Sequence, residues 1–155
     1  MDRSQAEQIA KLLNEQNQLT VQYTAEKVLE HRDSYLVRLS STGQVLACAE
    51  LKKVQWYQFE LLHVTVAQEH HRQGHARALV AEAEKKALQY GAKILQSTIR
   101  AGNTASEELF KSSGFSSVCR FYNPTSKNII SVWQRVLSEP PSNNSFKPPP
   151  QGGAA

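Results

Sequence analysis

Six residues, His71-Arg72-Gln73-Gly74-His75-Ala76, separate a run that reads as a strand from one that reads as a helix. Upstream, Phe59 to Val66 is rich in branched residues; downstream, Ala76, Leu79, Val80, Ala83 and Ala87 recur at the three- and four-residue steps of one helix face. A strand, a tight glycine-containing turn and a helix start leave unpaired backbone N–H groups at the helix N-terminus, where the helix dipole favours an anion such as phosphate. The turn is not a Walker loop, which needs Gly-x-x-x-x-Gly-Lys-Ser/Thr. It is not the dinucleotide fingerprint either, because only Gly74 of the three required glycines is present. Many strand-to-helix turns carry glycine and bind nothing, so the turn alone leaves both readings open.

Its surroundings narrow the choice. His71-x-x-Gly74-x-Ala76 resembles the Gln/Arg-x-x-Gly-x-Gly/Ala phosphate-binding motif of the GNAT superfamily of acyl-CoA-dependent N-acyltransferases. About thirty residues on, GNAT chains commonly carry Asn, a small residue three on, an aromatic seven on, and then Gly-Phe. Asn103, Ser106, Phe110, Gly114 and Phe115 stand in those places. The resemblance covers roughly residues 35 to 137. It implies an α/β (α+β) fold with a central, mostly antiparallel mixed sheet, helices on both faces and a V-shaped cleft for coenzyme A.

The rest of the chain is consistent with that order. Ser4 to Asn17 reads as a helix with Ser4 as cap and Glu7 three on; Thr24 to His31 reads as a second, short helix. Tyr35 to Leu39, Gln44 to Val54 and Tyr57 to Val66 read as strands. In the last of these the apolar positions change phase, from Tyr57, Phe59 and Leu61 to Leu62, Val64 and Val66. Either a β-bulge or a strand buried on both faces produces such a pattern. Lys93 to Arg100 is a further strand, Asn103 to Ser113 a helix ending at Gly114, and Ser117 to Tyr122 with Asn128 to Val136 a closing antiparallel pair. The family's usual first strand is not evident, and Leu19 to Tyr23 is the only segment left to supply a remnant of it. Residues 1–138 are expected to form the folded domain. From Glu139 onward five of the six prolines occur with Asn-Asn and Gly-Gly, a composition expected to be disordered. Ser145 to Pro148 and the final Gly-Ala-Ala also resemble the translated end of an integron gene cassette, which implies a bacterial gene.

A chain of 155 residues is long enough to bury a core without metal or disulfide. Without a signal-like N-terminus or an apolar run of membrane-spanning length, it is expected to be cytoplasmic with no membrane partner. Cys48 and Cys119 lie in strand-like runs and read as two buried thiols, and no His/Cys cluster has metal-ligand spacing. The net charge of +4 suits a polyanionic ligand, but without a basic stripe interleaved with aromatics it does not point to nucleic acid.

Acyl transfer from a thioester to an amine requires a base, donors for the oxyanion and a way for the thiolate to leave. The resemblance implies that main chain around Val64, Thr65 and Val66 pairs with pantetheine. It also implies that the turn of His71, Arg72, Gln73, Gly74, His75 and Ala76 wraps the diphosphate with help from Arg77, and that Asn103 reaches the pantetheine arm. Asn103 equally fits a helix N-cap. Glu60 occupies the strand position of the base in histone-type members, although a solvated strand glutamate reads the same way. His63 is the alternative, on the opposite face from Glu60 unless a bulge intervenes. Many members use a tyrosine as general acid where this chain has Phe110. The expected activity is transfer of an acetyl group from acetyl-CoA to a primary amine, of a small molecule or of a protein, by a monomer or homodimer. The alternative is an acyl-CoA-binding module without turnover.

Overall fold

A computed structural model describes residues 1–17 and 20–137. The expected disordered tail from residue 139 and its cassette-like end lie outside the described residues, as does Leu19. The elements follow in the order α1 (Arg3–Gln16), α2 (Ala25–Glu30), β1 (Tyr35–Leu39), β2 (Val45–Gln55), β3 (Gln58–Val66), α3 (His75–Gln89), β4 (Ile94–Arg100), α4 (Thr104–Ser112), β5 (Ser116–Asn123) and β6 (Asn128–Val136). They build one six-stranded sheet in the order β1-β2-β3-β4-β6-β5, antiparallel except for β3 beside β4. The mixed sheet with its helices is the fold the sequence resemblance implied.

Each face of the sheet has its own core. Leu79, Val80, Ala83 and Ala87 of α3, with Phe110 of α4, pack on Leu36, Leu51, Phe59, Leu61, Leu95 and Trp133. On the other face Ile9, Leu12 and Leu13 of α1 and Val28 of α2 cover Tyr35, Val45 and Cys48. The predicted helix faces are thus the buried ones, apart from Ala76, which stays half-exposed in the site described below.

Several local expectations are corrected. The cap of α1 is Asp2, not Ser4: its carboxylate accepts from the Gln5 N–H at 2.8 Å while the Gln5 side chain accepts from the Asp2 N–H at 3.2 Å. That capping box needs a glutamine three residues on, which Asp2 has. Residues 20–23 form no strand. Cys119 is exposed because β5 is an edge strand, while Cys48 is buried with its thiol pushed up to about 12 by burial and by Glu50, so it is no nucleophile.

The phase change in β3 is a bulge. Register runs Cys48↔Thr65 and then Glu50↔Leu62, so Ala49 alone stands opposite both His63 and Val64. His63 takes φ 52°, a left-handed conformation that costs a non-glycine residue about 1 kcal/mol. The slip falls at His63, two residues after the change in apolar pattern. Pairing between β3 and β4 covers only Gln58↔Ile94, Phe59↔Leu95 and Glu60↔Gln96. Beyond Glu60 the two parallel strands part, and the space between them is the site.

Candidate active site

Two cavities meet in the fork between β3 and β4. The larger, about 840 Å³, is walled by Val64 and Val66, by His70, His71, Arg72, Gly74, His75, Ala76 and Arg77 of the turn and α3, and by α4 from Ala105 to Ser112. The smaller, about 230 Å³, is walled by Asn17, His63, Val64, residues 97–100 of β4, Asn103, Ser106 and Phe110. Val64, Ser106 and Phe110 belong to both, so one groove runs from the turn to His63.

The turn has the conformation that an anion site requires. Arg72 and Gly74 both sit at positive φ, 60° and 84°, and Gly74 is the N-cap of α3 with no side chain capping the first N–H groups. Gly74, His75 and Ala76, which carry the first of those donors, wall the larger cavity. Arg77 donates to Ser112 Oγ at 3.0 Å and so ties α3 to α4 along the groove. His71 turns its ring back to β3, where Nε2 donates to the Val66 carbonyl at 2.9 Å. Asn103 is the cap of α4, its side-chain oxygen accepting from the Ser106 N–H at 3.3 Å, and it also walls the smaller cavity.

The side chains of two residues named for the ligand lie away from the groove, which leaves only their main chain to face it. Gln73 is exposed and walls neither cavity among the described residues. Thr65 is buried on the α1 face, its hydroxyl donating to the His63 carbonyl at 2.8 Å and accepting from Asn17 Nδ2 at 2.9 Å. Strand alternation sends Val64 and Val66 into the groove and Thr65 away from it.

Glu60 ends the paired part of β3, opposite Lys52 on β2 and Gln96 on β4. Burial raises its pKa above the usual carboxylate range, opposed by hydrogen bonds from Gln96 and Thr98 and by the charge of Lys52. The Oε1 of Gln96 accepts from Gln58 at 3.1 Å and from Gln134 at 2.8 Å, which leaves its NH₂ for Glu60. Glu60 itself walls neither cavity, but Thr98 does.

The bulge brings His63 round to the side of Glu50 and Lys52. Its Nε2 lies 3.0 Å from the Tyr23 hydroxyl. Burial lowers its pKa, the nearby Glu50 carboxylate opposes that, and Lys52 adds to it. Glu50, 1% exposed, carries a carboxylate whose Oε1 pairs with Lys52 Nζ at 3.2 Å and has no further partner among the described residues. Sequence reasoning passed over Glu50, and it singled out Tyr23 only with Trp56, Tyr57 and Tyr122 as aromatics available to line an acceptor pocket. The bland alternation of β2 and the irregular segment before α2 carry no motif, and only the bulge opposite brings them to His63.

A strand bulge, a forked parallel pair and an uncapped glycine turn at the fork frame one groove, and the profile of the acetyltransferase (GNAT) family matches residues 5–115. The chain belongs to the GNAT family. It is therefore an acyltransferase, with acetyl-CoA as cosubstrate. Solved GNAT folds superpose closely. The chain yncA of Salmonella typhimurium, solved with its cofactor acetyl-CoA, is 18% identical with a TM-score of 0.77 over 94% of this chain and 95% of that one. The ribosomal-protein-S18-alanine N-acetyltransferase of Escherichia coli is 19% identical, TM-score 0.71, over 94% and 96%. The ribosomal-protein-alanine N-acetyltransferase of Brucella melitensis is 22% identical, TM-score 0.75, over 88% and 96%. No curated protein matches the sequence.

Proposed function

We propose that this GNAT chain transfers an acetyl group directly from acetyl-CoA to a primary amine, with the larger cavity holding the diphosphate and the smaller one the reacting end. The observation that carries this reading is the fork after Glu60↔Gln96, where β3 stops pairing with β4 and Val64 walls both cavities. The main chain of 64–66 then takes the pantetheine arm as an added strand would be taken. The α3 N-terminus with Gly74, Ala76, His75 and Arg72 receives the phosphates, Arg77 and His71 brace the turn, and Asn103 and Phe110 wall the arm. Acetyl-CoA supplies the activated acyl carbon; the chain supplies position, backbone donors and a base.

Glu60 and His63 both serve this fork. Glu60 reaches it through Thr98 or one water, and its raised pKa suits a carboxylate that takes a proton near neutrality. One specific observation favours His63, that it walls the smaller cavity. Phe110 is buried against Phe115, with ring centroids 5.0 Å apart, and has no proton to give the leaving thiolate. The acceptor is a small-molecule amine or a protein amine.

The test is an amine panel, including peptides with free N-termini, incubated with acetyl-CoA while free thiol is followed. Release that depends on the amine supports the transferase. Coenzyme A binding with no release from any amine would favour a binding module.

A further inference from the structure

Glu50 is the most deeply buried acid in the described structure, paired with Lys52 of its own strand. It lies on β2 among Cys48, Tyr35 and Tyr23, in a layer otherwise packed by α1 and α2. Lys52 pairs with Oε1 at 3.2 Å from the same strand face, and Oε1 has no second partner among the described residues. A buried carboxylate left in that condition costs stability unless another group draws on it. Across the bulge stands His63, held at φ 52° with Nε2 on the Tyr23 hydroxyl and its ring in the cavity wall. Strain, an under-satisfied carboxylate and a tethered imidazole coincide at the acyl end of the groove.

We propose that Tyr23 and Glu50 are positioning residues that make His63 the proton acceptor of the transfer. This rests on the transferase reading above. In this assignment the Tyr23 oxygen accepts from Nε2–H across their 3.0 Å contact, which favours that tautomer and leaves Nδ1 as the nitrogen with a lone pair. His63 Nδ1 takes one proton from a neutral amine as the C–N bond forms and the C–S bond breaks. The imidazolium, stabilised by the Glu50 carboxylate, then returns that proton to the departing sulfur or to water. A single group thus takes and gives the proton, and the missing hydroxyl at Phe110 is no obstacle.

The charged and titratable groups around the ring are Glu50 and Lys52 from β2, Tyr23 from the segment before α2, Tyr35 of β1 behind Glu50, Glu60 on β3 itself, and Arg100 of β4 in the wall of the same cavity. Of these, Glu50 is the one whose removal lowers the affinity of His63 for a proton while leaving the cavity wall intact.

The experiment is an NMR titration of the histidine side chains in the full chain, with His63 assigned by His63→Gln, alongside pH profiles of kcat/KM. Glu50→Gln should move the His63 midpoint, and the rising limb of kcat/KM with it, to lower pH. Tyr23→Phe should change the tautomer signature of the His63 nitrogens and lower kcat, with coenzyme A affinity within twofold of wild type. His63→Gln should cost about a hundredfold in kcat. An unmoved His63 titration in Glu50→Gln, or wild-type turnover in Glu50→Gln and Tyr23→Phe, overturns the relay while the transferase reading stands. If Glu50→Gln does not fold, Tyr23→Phe decides the matter alone by tautomer and kcat. A wild type that binds coenzyme A but acetylates no amine sinks the transferase reading itself.

Discussion

His71 Nε2 donates to the carbonyl of Val66 at 2.9 Å, so the first residue of the phosphate turn is latched to the last residue of β3. The family places glutamine or arginine here, and a side chain free to reach phosphate was the natural expectation. The ring instead sets the angle at which the turn leaves the strand. Losing one hydrogen bond of this kind costs about 1 kcal/mol. His71→Ala should therefore raise the Kd for coenzyme A roughly fivefold, read by calorimetry; an unchanged Kd would mean the turn keeps its angle without the latch.

Gly74 holds φ +84° at the start of α3, with open space where a Cβ would go. The penalty for a side chain is thus conformational and not steric, about 1–2 kcal/mol. Gly74→Ala should lower Tm by a few degrees and weaken coenzyme A binding at least as much as His71→Ala, because the N–H groups lose their aim. Thermal melts with and without coenzyme A separate the two effects.

Gly114 differs from Gly74 in having no room. A Cβ there would stand 3.1 Å from Arg135 Nη1, and φ is +87°. That guanidinium also donates to Glu84 of α3 at 2.8 Å and to the Ser113 carbonyl at the end of α4, so it clamps the two groove walls together. Gly114→Ala should destabilise by about 2 kcal/mol, from strain plus displacement of the clamp. Urea unfolding measures this, and a loss well under 1 kcal/mol would show that Arg135 swings aside freely.

Glu60 has a folded-state pKa above its unfolded value, first through burial. Its contribution to stability is then fully present below about pH 4.3, the unfolded value, and is lost as pH rises through the folded value. Glu60→Gln should accordingly raise Tm at pH 7 to 8, with the gain vanishing toward pH 4. If Glu60 is a second proton acceptor, the same variant should also lower kcat. Higher Tm with unaltered kcat would assign Glu60 to electrostatics of the fork alone.

Much of this was legible in local pattern. The 3.6-residue spacing of Leu79, Val80, Ala83 and Ala87 is dictated by burial of one helix face, and Gly74, Gly91 and Gly114 mark ends that only a residue without Cβ tolerates easily. Asn103 announced its cap by its distance from Ser106. Misplacements arose where two local signals competed. Ser4 with Glu7 resembled a capping box, yet Asp2 with Gln5 forms it one turn fraction earlier. Cys119 read as buried because alternation cannot tell an edge strand from a central one.

By itself, the sequence determined which segments become helix and strand, that the turn after β3 exposes backbone donors, and which family the chain resembles; these depend on neighbours a few residues apart. The tertiary structure alone decided where β3 breaks from β4, that the bulge sits at His63, and that Glu50, Tyr23 and His63 converge from β2, the segment before α2 and β3. Register between strands and the choice of which side a bulged residue faces are set by contacts such as Glu50↔Leu62, 12 residues apart, and Tyr23 with His63, 40 apart, and no local pattern encodes them.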